Sequence, residues 1–250
     1  MGVIYLHNMN RVVISMSGGL DSTCLALREL SKGREVRAYA FDYGQGHMIE
    51  LHRLERNIQF LQRKGLPISL QVINLRDVFS DSQSSLCGNG DIPIGHYEDA
   101  NMKSTVVENR NVIFSSIIYG KALSWAKQTD SKVRITLGIH AGDHTIYPDC
   151  TPESQEMARE LFRISNWGSE NVDYIAPFVN STKGEVLAAG IEAMKKLNFT
   201  EEDITYVLDH THTCYSPDQE GRSCGKCGSC TERLEAFEFV GRKDPVRYQE

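Results

Sequence analysis

The feature that most constrains this chain is a Gly-rich hexapeptide, Ser17-Gly18-Gly19-Leu20-Asp21-Ser22. The apolar, β-branched run at 11–16 predicts a buried strand before it, and residues 23–30 have apolar side chains at helical spacing. We expect Asp21 or Ser22 to cap the first turn of that helix. Glycines that allow close approach, followed by a helix start with unpaired N–H groups, form an anion site that phosphate commonly fills. The alternative is an ordinary turn between a strand and a helix.

The hexapeptide lacks the Lys-Ser/Thr ending of a Walker A loop and resembles the SGGxDS signature of the PP-loop ATP pyrophosphatases. Members of that family bind ATP and release pyrophosphate, leaving AMP on a substrate oxygen. The resemblance implies that residues of the loop hold the ATP phosphates and that Asp21 acts partly through a magnesium ion. The implied cofactor-binding residues are Ser17, Gly18, Gly19, Leu20, Asp21 and Ser22.

The composition is that of a soluble globular protein of 250 residues, with 40% hydrophobic and 24% charged residues. A net charge of −6 argues against a protein that coats nucleic acid. No apolar run approaches membrane-spanning length, and residues 1–8 do not have the pattern of a signal peptide. Seven cysteines in such a chain indicate a reducing compartment, so we expect a cytoplasmic protein.

Alternating strands and helices predict an α/β fold with a doubly wound parallel sheet covered on both faces. We divide the chain into an α/β domain at 1–208 and a small C-terminal element with a helix at 209–250. The polar, poorly periodic stretch 80–108 is typical of a functional or mobile segment. The predicted strands are 11–16, 36–41, 69–75, 133–137 and 173–178, and the further helices are 47–64, 111–127, 152–167, 182–197 and 201–208.

Loops after three predicted strands carry polar candidates, at 17–22, 42–45 and 140–150. Ligands bind beyond the carboxyl ends of strands in a parallel sheet, so these loops should converge on one site.

Four cysteines near the C-terminus, Cys214, Cys224, Cys227 and Cys230, form the pattern C-x9-C-x2-C-x2-C. Four thiolates on Gly-containing turns complete a closed tetrahedral site, and such a ligand set favours structural zinc. An iron–sulfur cluster and a chance grouping are the alternatives. The nearby histidines at 210 and 212 are expected to be solvated rather than ligands.

The other three cysteines carry weaker signals. Cys24 lies in the first predicted helix and is expected in the core, and Cys87 is expected to be structural or on the surface. Cys150 lies in a candidate active-site loop, where a role and a packed thiol are both open.

Several motifs together narrow the resemblance to the 7-cyano-7-deazaguanine synthase family of PP-loop proteins. Enzymes of that family convert 7-carboxy-7-deazaguanine to the nitrile with ATP and ammonia, on the route to modified guanines such as queuosine, and carry a four-cysteine zinc. The resemblance implies an ATP-dependent ligase, with ATP, magnesium and zinc as cofactors, and a homodimer. The motifs are the SGGLDS loop, residues 41–47 (FDYGQGH), Arg110-Asn111, residues 147–150 (YPDC) and the four cysteines.

The resemblance also implies roles for individual residues around the phosphate loop. Arg110 is a candidate bidentate partner of a phosphate or carboxylate, and Lys183 a candidate for neutralising phosphate; with Asp21 they are the candidate catalytic residues. Surface roles are the alternatives for both cations. Asp143 and Asp149 are candidates to hold magnesium or to bind the purine edge. Tyr43 is a candidate to stack on a base, with a core position as the alternative. The implied substrate-binding set is Tyr43, Gln45, Arg110, Asn111, Asp143, Tyr147 and Asp149.

Two segments depart from the family pattern: Glu108-Asn109 stands where Pro-Gly is usual, and residues 140–144 (HAGDH) differ as well. We expect both to border the substrate pocket. They motivate an alternative function, in which a defence or modification enzyme adenylates a deazaguanine-type acid and transfers it to a protein or other amine. A tRNA-modifying PP-loop enzyme is a weaker alternative, because the chain is acidic and has no basic, aromatic-interleaved stretch. A non-enzymatic zinc-binding module is weaker still.

Overall fold

The computed structural model describes residues 9–46, 48–88, 90–95 and 100–250. His47, residues 1–8, and residues 89 and 96–99 of the 80–108 stretch lie outside the described residues. The described chain contains five strands and seven α-helices, which alternate as far as the fifth strand and end in three successive helices. The strands are β1 (Arg11–Ser15), β2 (Glu35–Asp42), β3 (Ile68–Asn74), β4 (Val133–Thr136) and β5 (Val172–Ile175). The helices are α1 (Leu20–Leu30), α2 (Ile49–Arg63), α3 (Arg110–Thr129), α4 (Pro152–Ser165), α5 (Lys183–Lys196), α6 (Glu201–Asp209) and α7 (Gly228–Phe239).

The five strands form one parallel sheet in the order β3-β2-β1-β4-β5, which confirms the predicted fold class. The chain runs outward from β1 to β3 and then returns to the other side of β1 to place β4. The loops that follow β1 and β4 therefore leave in opposite directions and open a crevice between them.

Alternation along β1 separates the two faces of the sheet. Val12 and Ile14 pack in the core under α1, α2, α5, α6 and α7, and Val13 packs on the opposite face under α3 and α4. All three side chains are fully buried, as expected for a central parallel strand covered by helices on both faces.

Three details differ from the sequence-based expectations. Helix α1 begins at Leu20 with Gly19 as its N-cap, so the expectation that Asp21 or Ser22 caps it was wrong. Both residues already lie in the first turn. The last strand ends at Ile175, three residues earlier than predicted. The stretch 80–108 contains 3₁₀ helices at Ser85–Cys87 and Ala100–Thr105.

The described parts of 80–108 pack against the body of the protein. Leu86, Met102 and Val107 are buried, and Met102 contacts the loop that carries Tyr147 and Cys150. This stretch therefore forms part of the wall around the site described below.

The C-terminal residues join the α/β body through α7, which packs against α5. A Cβ at Gly184 would lie 2.6 Å from the ring of Phe239, so the two helices can approach this closely only because residue 184 is glycine. The division of the chain at residue 208 stays a prediction. Among the described residues, no helix combines the length and apolar character needed to cross a bilayer.

Candidate active site and metal centre

The phosphate-loop candidate adopts a conformation that requires glycine. Gly18 has φ +92°, and a Cβ there would lie 2.8 Å from the backbone oxygen of Glu50. Gly19 caps α1 and donates its N–H to Ser17 Oγ at 3.2 Å. The loop thus turns tightly from β1 into α1 and opens the positive end of the helix to the crevice.

A cavity of about 250 Å³ lies beside this loop, at the crevice between β1 and β4. It brings together most of the residues predicted for the site from distant parts of the sequence. Four others do not line it: Gly18, Leu20, Gln45 and Asp149. The predicted residues that do line it are Ser17, Gly19, Asp21, Ser22, Tyr43, Arg110, Asn111, Asp143, Tyr147 and Lys183.

Arg110 lies between two aromatic rings on the cavity wall. Its guanidinium carbon is 5.5 Å from the ring centre of Tyr43 and 5.8 Å from that of Tyr147, and Nη1 donates to the Tyr43 hydroxyl at 3.3 Å. Nε donates to Asn111 Oδ1 at 3.2 Å. Arginine stays charged at any pH of interest, so the cavity holds a fixed and oriented cation.

Gln45 has a different position from the one expected. Its side-chain oxygen accepts the N–H of Tyr43 at 2.9 Å, and its Nε2 donates to the Phe41 carbonyl and to Glu50 Oε1. The amide therefore braces the turn after β2 and holds the carboxyl of Glu50, which lines the cavity. Burial raises the pKa of Glu50 to about 7, against the lowering effect of the Gln45 hydrogen bond.

Lys183 also lines the cavity and lies in a cluster of buried charged groups. Its Nζ donates to Glu232 Oε2 at 3.0 Å and lies 3.4 Å from Asp21 Oδ2 and 3.3 Å from His140 Nε2. Burial alone would lower the pKa of Lys183, but Asp21, Glu232 and Asp143 outweigh it and raise that pKa above its usual value. The lysine therefore stays charged.

His140 is oriented by its own loop. Nδ1 accepts the backbone N–H of Gly142 at 3.1 Å, so in the neutral ring the hydrogen is on Nε2. That Nε2 lies 3.7–3.9 Å from carboxylate oxygens of Asp21, Asp143 and Glu232. Burial raises the pKa of Asp143, whose other oxygen accepts the backbone N–H of His140.

Cys150 and Asp149 meet Asn111 beside the cavity. Asn111 Nδ2 donates to Asp149 Oδ1 at 3.2 Å and lies 3.5 Å from Cys150 Sγ. Burial raises the pKa of the Cys150 thiol well above its usual value. A nucleophilic cysteine requires the thiolate, so this environment favours a packed thiol at Cys150, which also lines the cavity. Cys24 is fully buried, which confirms the prediction that it lies in the core. It packs against Gly190 of α5.

The four predicted cysteines form one cluster, with all their Sγ atoms within 4.8 Å of one another. Sγ of Cys224 and Cys230 are 3.9 Å apart. Tetrahedral zinc with Zn–S bonds of about 2.3 Å sets its sulfurs about 3.8 Å apart, so this donor set fits zinc in size and chemistry. The sequence-based prediction of a four-cysteine metal site is confirmed as a cluster of ligands.

The two histidines near the cluster differ from each other. The His210 ring stacks on Tyr206, with centroids 4.0 Å apart. His212 is 2% exposed and lines the cavity, so the expectation of a solvated side chain was wrong for it. Its backbone N–H donates to the carbonyl of Gly18, which places the chain leading to Cys214 directly against the phosphate loop.

The two segments that depart from the family pattern have different locations. Glu108 accepts a hydrogen bond from Ser82 at 2.6 Å, and Asn109 takes φ +56° as the N-cap of α3, a left-handed conformation that asparagine tolerates. Neither lines the cavity, so the expectation that this pair borders the pocket was wrong. The second segment does border it, through Asp143.

Sequence reasoning missed Glu50, His140 and Glu232 as members of the site. Glu50 lies five residues after Gln45, and an acidic residue in an amphipathic helix gave no signal. Glu232 lies two residues after Cys230, and nothing in the sequence distinguishes it from an exposed helix carboxylate. His140 has a sequence signal only as part of the segment that departs from the family pattern.

A parallel α/β sheet, a Gly-rich turn with the geometry of an anion site at its switch point and a four-cysteine cluster together define an α/β protein with a candidate phosphate loop and a candidate metal centre. The family model "Queuosine biosynthesis protein QueC" matches residues 11–241. The chain therefore belongs to the QueC family.

Relatives agree with this assignment. A 7-cyano-7-deazaguanine synthase of Marinomonas sp. (strain MWYL1) is 40% identical over 240 residues, covering 96% of this chain and 98% of that protein. A protein with the same description from Caldicellulosiruptor bescii is 35% identical over 241 residues, covering 96% and 97%. Among solved structures, the U34-tRNA thiolase NcsA from Methanococcus maripaludis covers 96% of this chain and 72% of its own, with a TM-score of 0.43 and 16% identity. A likeness that low carries no argument.

Proposed function

We propose that this chain is an ATP-dependent enzyme that converts 7-carboxy-7-deazaguanine and ammonia to 7-cyano-7-deazaguanine, releasing AMP and pyrophosphate. The observation that supports it most is the single cavity in which the phosphate loop, Arg110 and Lys183 face the same space, in a chain whose relatives have that description.

A carboxylate is a poor electrophile, and the proposed chemistry solves this by adenylation. The substrate carboxylate attacks the α-phosphorus of ATP, and the bond to the pyrophosphate leaving group breaks. Ammonia then attacks the acyl adenylate, loses a proton and gives an amide with release of AMP. A second ATP adenylates the amide oxygen, with release of pyrophosphate and of one amide proton. AMP then leaves with that oxygen, the last amide proton is lost, and a nitrile remains.

The residues of the chain orient the reactants and balance charge. The N–H groups at the start of α1, with Ser17 and Ser22, would bind the phosphates, and Lys183 would neutralise the charge that develops on pyrophosphate. Arg110, held by Tyr43 and Asn111, would pair with the carboxylate of the acid or with a phosphate. The ring of Tyr43 or Tyr147 offers a surface for the deazaguanine, and Asp143, which lines the cavity, would accept from its N–H groups. Asp149 would act through Asn111, whose side-chain amide it holds.

Magnesium fits the chemistry of this site. Three carboxylates, Asp21, Asp143 and Glu232, surround one lysine, and Asp21 Oδ1 is buried without a hydrogen-bond partner in the described part of the chain. A divalent cation bound by Asp21 would supply the missing positive charge and shield the phosphates. Zinc at the four cysteines would be structural, since four thiolates leave no open position.

The experiment incubates the purified enzyme with ATP, magnesium, ammonia and 7-carboxy-7-deazaguanine, and analyses the products by mass spectrometry. A nitrile with AMP is the expected result. AMP and pyrophosphate without nitrile would overturn the choice of acceptor and redirect it to a protein or other amine, as in the alternative function. No pyrophosphate in any mixture would overturn the adenylation itself.

We also propose a cytoplasmic homodimer. Helix α4 carries exposed Met157, Leu161 and Ile164 on one stripe, with Trp167 beyond its end. Pairing with a second copy in antiparallel orientation would cover this stripe and bring Glu153 and Glu156 near Arg163 of the other helix. Light scattering of wild type and of Leu161→Asp tests it: the wild type should be a dimer and the variant a monomer. A wild-type monomer at 50 μM would contradict the proposal.

A further inference from the structure

The helix that completes the metal centre also supplies a carboxylate to the charged cluster around Lys183. Helix α7 has Cys227 as its N-cap and carries Cys230 in its first turn, and Glu232 follows two residues later. The Glu232 carboxylate lies 3.0 Å from Lys183 Nζ, and its side chain is 10% exposed. One short helical segment thus contacts both the four cysteines and the phosphate-site lysine.

The donors of Lys183 are divided in a way that leaves the lysine available to a ligand. An ammonium has three N–H groups. One is donated to Glu232, while Asp21 faces the ammonium at 3.4 Å. His140 Nε2 carries a hydrogen, because Nδ1 is an acceptor, so it takes none from the lysine. Within the described residues at least one N–H of Lys183 therefore remains for an oxygen in the cavity that the lysine lines.

Two glycines make room for this arrangement. A Cβ at Gly142 would lie 2.2 Å from Glu232 Oε1 and 2.8 Å from His140 Cε1, so a side chain at this position would displace the carboxylate or the imidazole ring. Gly184, next to Lys183, allows α7 to approach α5 in the same way. The carboxylate is held from three sides: by the loop after β4, by the start of α5 and by its own helix.

We propose that Glu232 is a positioning residue, through which the four-cysteine element holds the Lys183 ammonium toward the phosphates of ATP. The His140 ring adds an N–H that faces the carboxylates of Glu232 and Asp21. The proposal rests on the proposed ATP chemistry. It assigns to the C-terminal element an active-site task in addition to folding.

The main test compares steady-state pyrophosphate release by wild type, Glu232→Gln and Glu232→Asp, with Glu238→Gln as the matched control on the exposed side of α7. Glutamine keeps the size but removes the charge that fixes the lysine. We expect kcat to fall about tenfold in Glu232→Gln, with KM for ATP changed less than threefold, because Lys183 acts on charge that develops in the transition state. Aspartate should restore kcat to within about threefold of wild type, and Glu238→Gln should equal wild type.

Metal content and melting temperature of each variant are measured in parallel. A structural role would lower melting temperature and active fraction together and would leave the kcat of the folded enzyme unchanged. A Glu232→Gln enzyme with wild-type kcat, beside an active wild type, would overturn the inference and leave the proposed function standing.

A second measurement does not depend on turnover of ATP by the enzyme. Free enzyme is treated with an amine-acetylating ester, and the rate at Lys183 is followed by peptide mass spectrometry. We expect at least a threefold faster reaction in Glu232→Gln, since the lysine is no longer held. If the wild type releases no pyrophosphate but this rate rises, the proposed function is wrong and the positioning stands. If the wild type releases no pyrophosphate and the acetylation rate of Lys183 is the same in Glu232→Gln, the proposed function and the positioning are both wrong.

Discussion

The four-cysteine centre and the Lys183 cluster are built in opposite ways. The cysteines all lie between Cys214 and Cys230, on two turns and the start of one helix. The Lys183 cluster takes Asp21 from α1, His140 and Asp143 from the loop after β4, and Glu232 from α7. One site is nearly complete within a short segment, whereas the other exists only after the sheet and both of its helical layers have formed.

This difference indicates which substitutions should disrupt each site. A local site depends on its own ligands, so its removal is a matter of metal binding and of folding. An assembled site depends on every element that delivers a group to it. Because α7 belongs to both sites, damage to the local site should reach the assembled one, and damage in the other direction should not occur.

The largest expected effect is the loss of the metal centre in Cys230→Ser. Bound zinc should fall from one per chain to none, with loss of a large part of the roughly 10 kcal/mol that structural zinc sites contribute to folding. Metal analysis and urea unfolding measure the two quantities. Cys87→Ser, in a partly buried thiol outside the cluster, is the control and should bind zinc normally. A stable, metal-free and fully active Cys230→Ser enzyme would refute a structural role.

The second prediction concerns Asp21→Ala, which should impair the Lys183 cluster and leave the four-cysteine centre intact. We expect pyrophosphate release to fall at least about a thousandfold, equivalent to about 4 kcal/mol, with zinc still bound. The reason is that Asp21 pairs with Lys183 and has a buried oxygen directed to no other group in the described structure. Turnover at the wild-type rate would remove Asp21 from the site.

The packing of α7, the helix that the two sites share, can be weakened by a substitution outside both sites. Arg233 on α7 is buried and pairs with Asp244 at 2.7 Å, so Asp244→Ala leaves a buried charge without its partner. We expect a loss of about 3 kcal/mol in urea unfolding, at the low end for such pairs because Thr211 and the Leu208 carbonyl still accept from the guanidinium.

Asp218→Ala, which breaks the more exposed pair with Arg222, is the control and should lower the urea midpoint much less than Asp244→Ala does. Equal losses in the two variants would mean that burial of the Arg233 pair is not what anchors α7.

The smallest expected effect concerns Glu50, which also lines the cavity. Its pKa is raised in the folded protein to about 7, so between pH 4.5 and 7 the folded state binds more protons than the unfolded state. Its stabilising contribution is therefore present at low pH and is lost as pH rises through 7. From pH 5 to pH 8 it should lower the free energy of unfolding by about 2 kcal/mol.

Glu50→Gln removes this contribution, so its urea midpoint should fall less between pH 5 and pH 8 than that of the wild type. Glu55→Gln, on an exposed face of the same helix, should keep the wild-type dependence. Parallel pH curves for wild type and Glu50→Gln would contradict the raised pKa.

Much of the fold was predictable because its signals are local. The β-branched run before Ser17 gave β1, and the glycines after it gave the tight turn, since Gly18 needs a positive φ and has no room for a side chain. Prediction failed at the cap of α1, where the loop and helix overlap by three residues and Gly19 takes the place expected of a polar side chain.

The sequence by itself determined the alternation of strands and helices, the phosphate loop and the four thiol ligands. Each of these depends on residue types a few positions apart. Only the tertiary structure decided which polar groups meet. Gln45 braces a turn and binds the carboxyl of Glu50, and Glu232 contacts Lys183. Glu108 binds Ser82, and neither Glu108 nor Asn109 lines the cavity. Such contacts depend on distances between elements far apart in the chain. A carboxylate next to a cysteine motif has the same sequence pattern whether it faces solvent or a buried lysine.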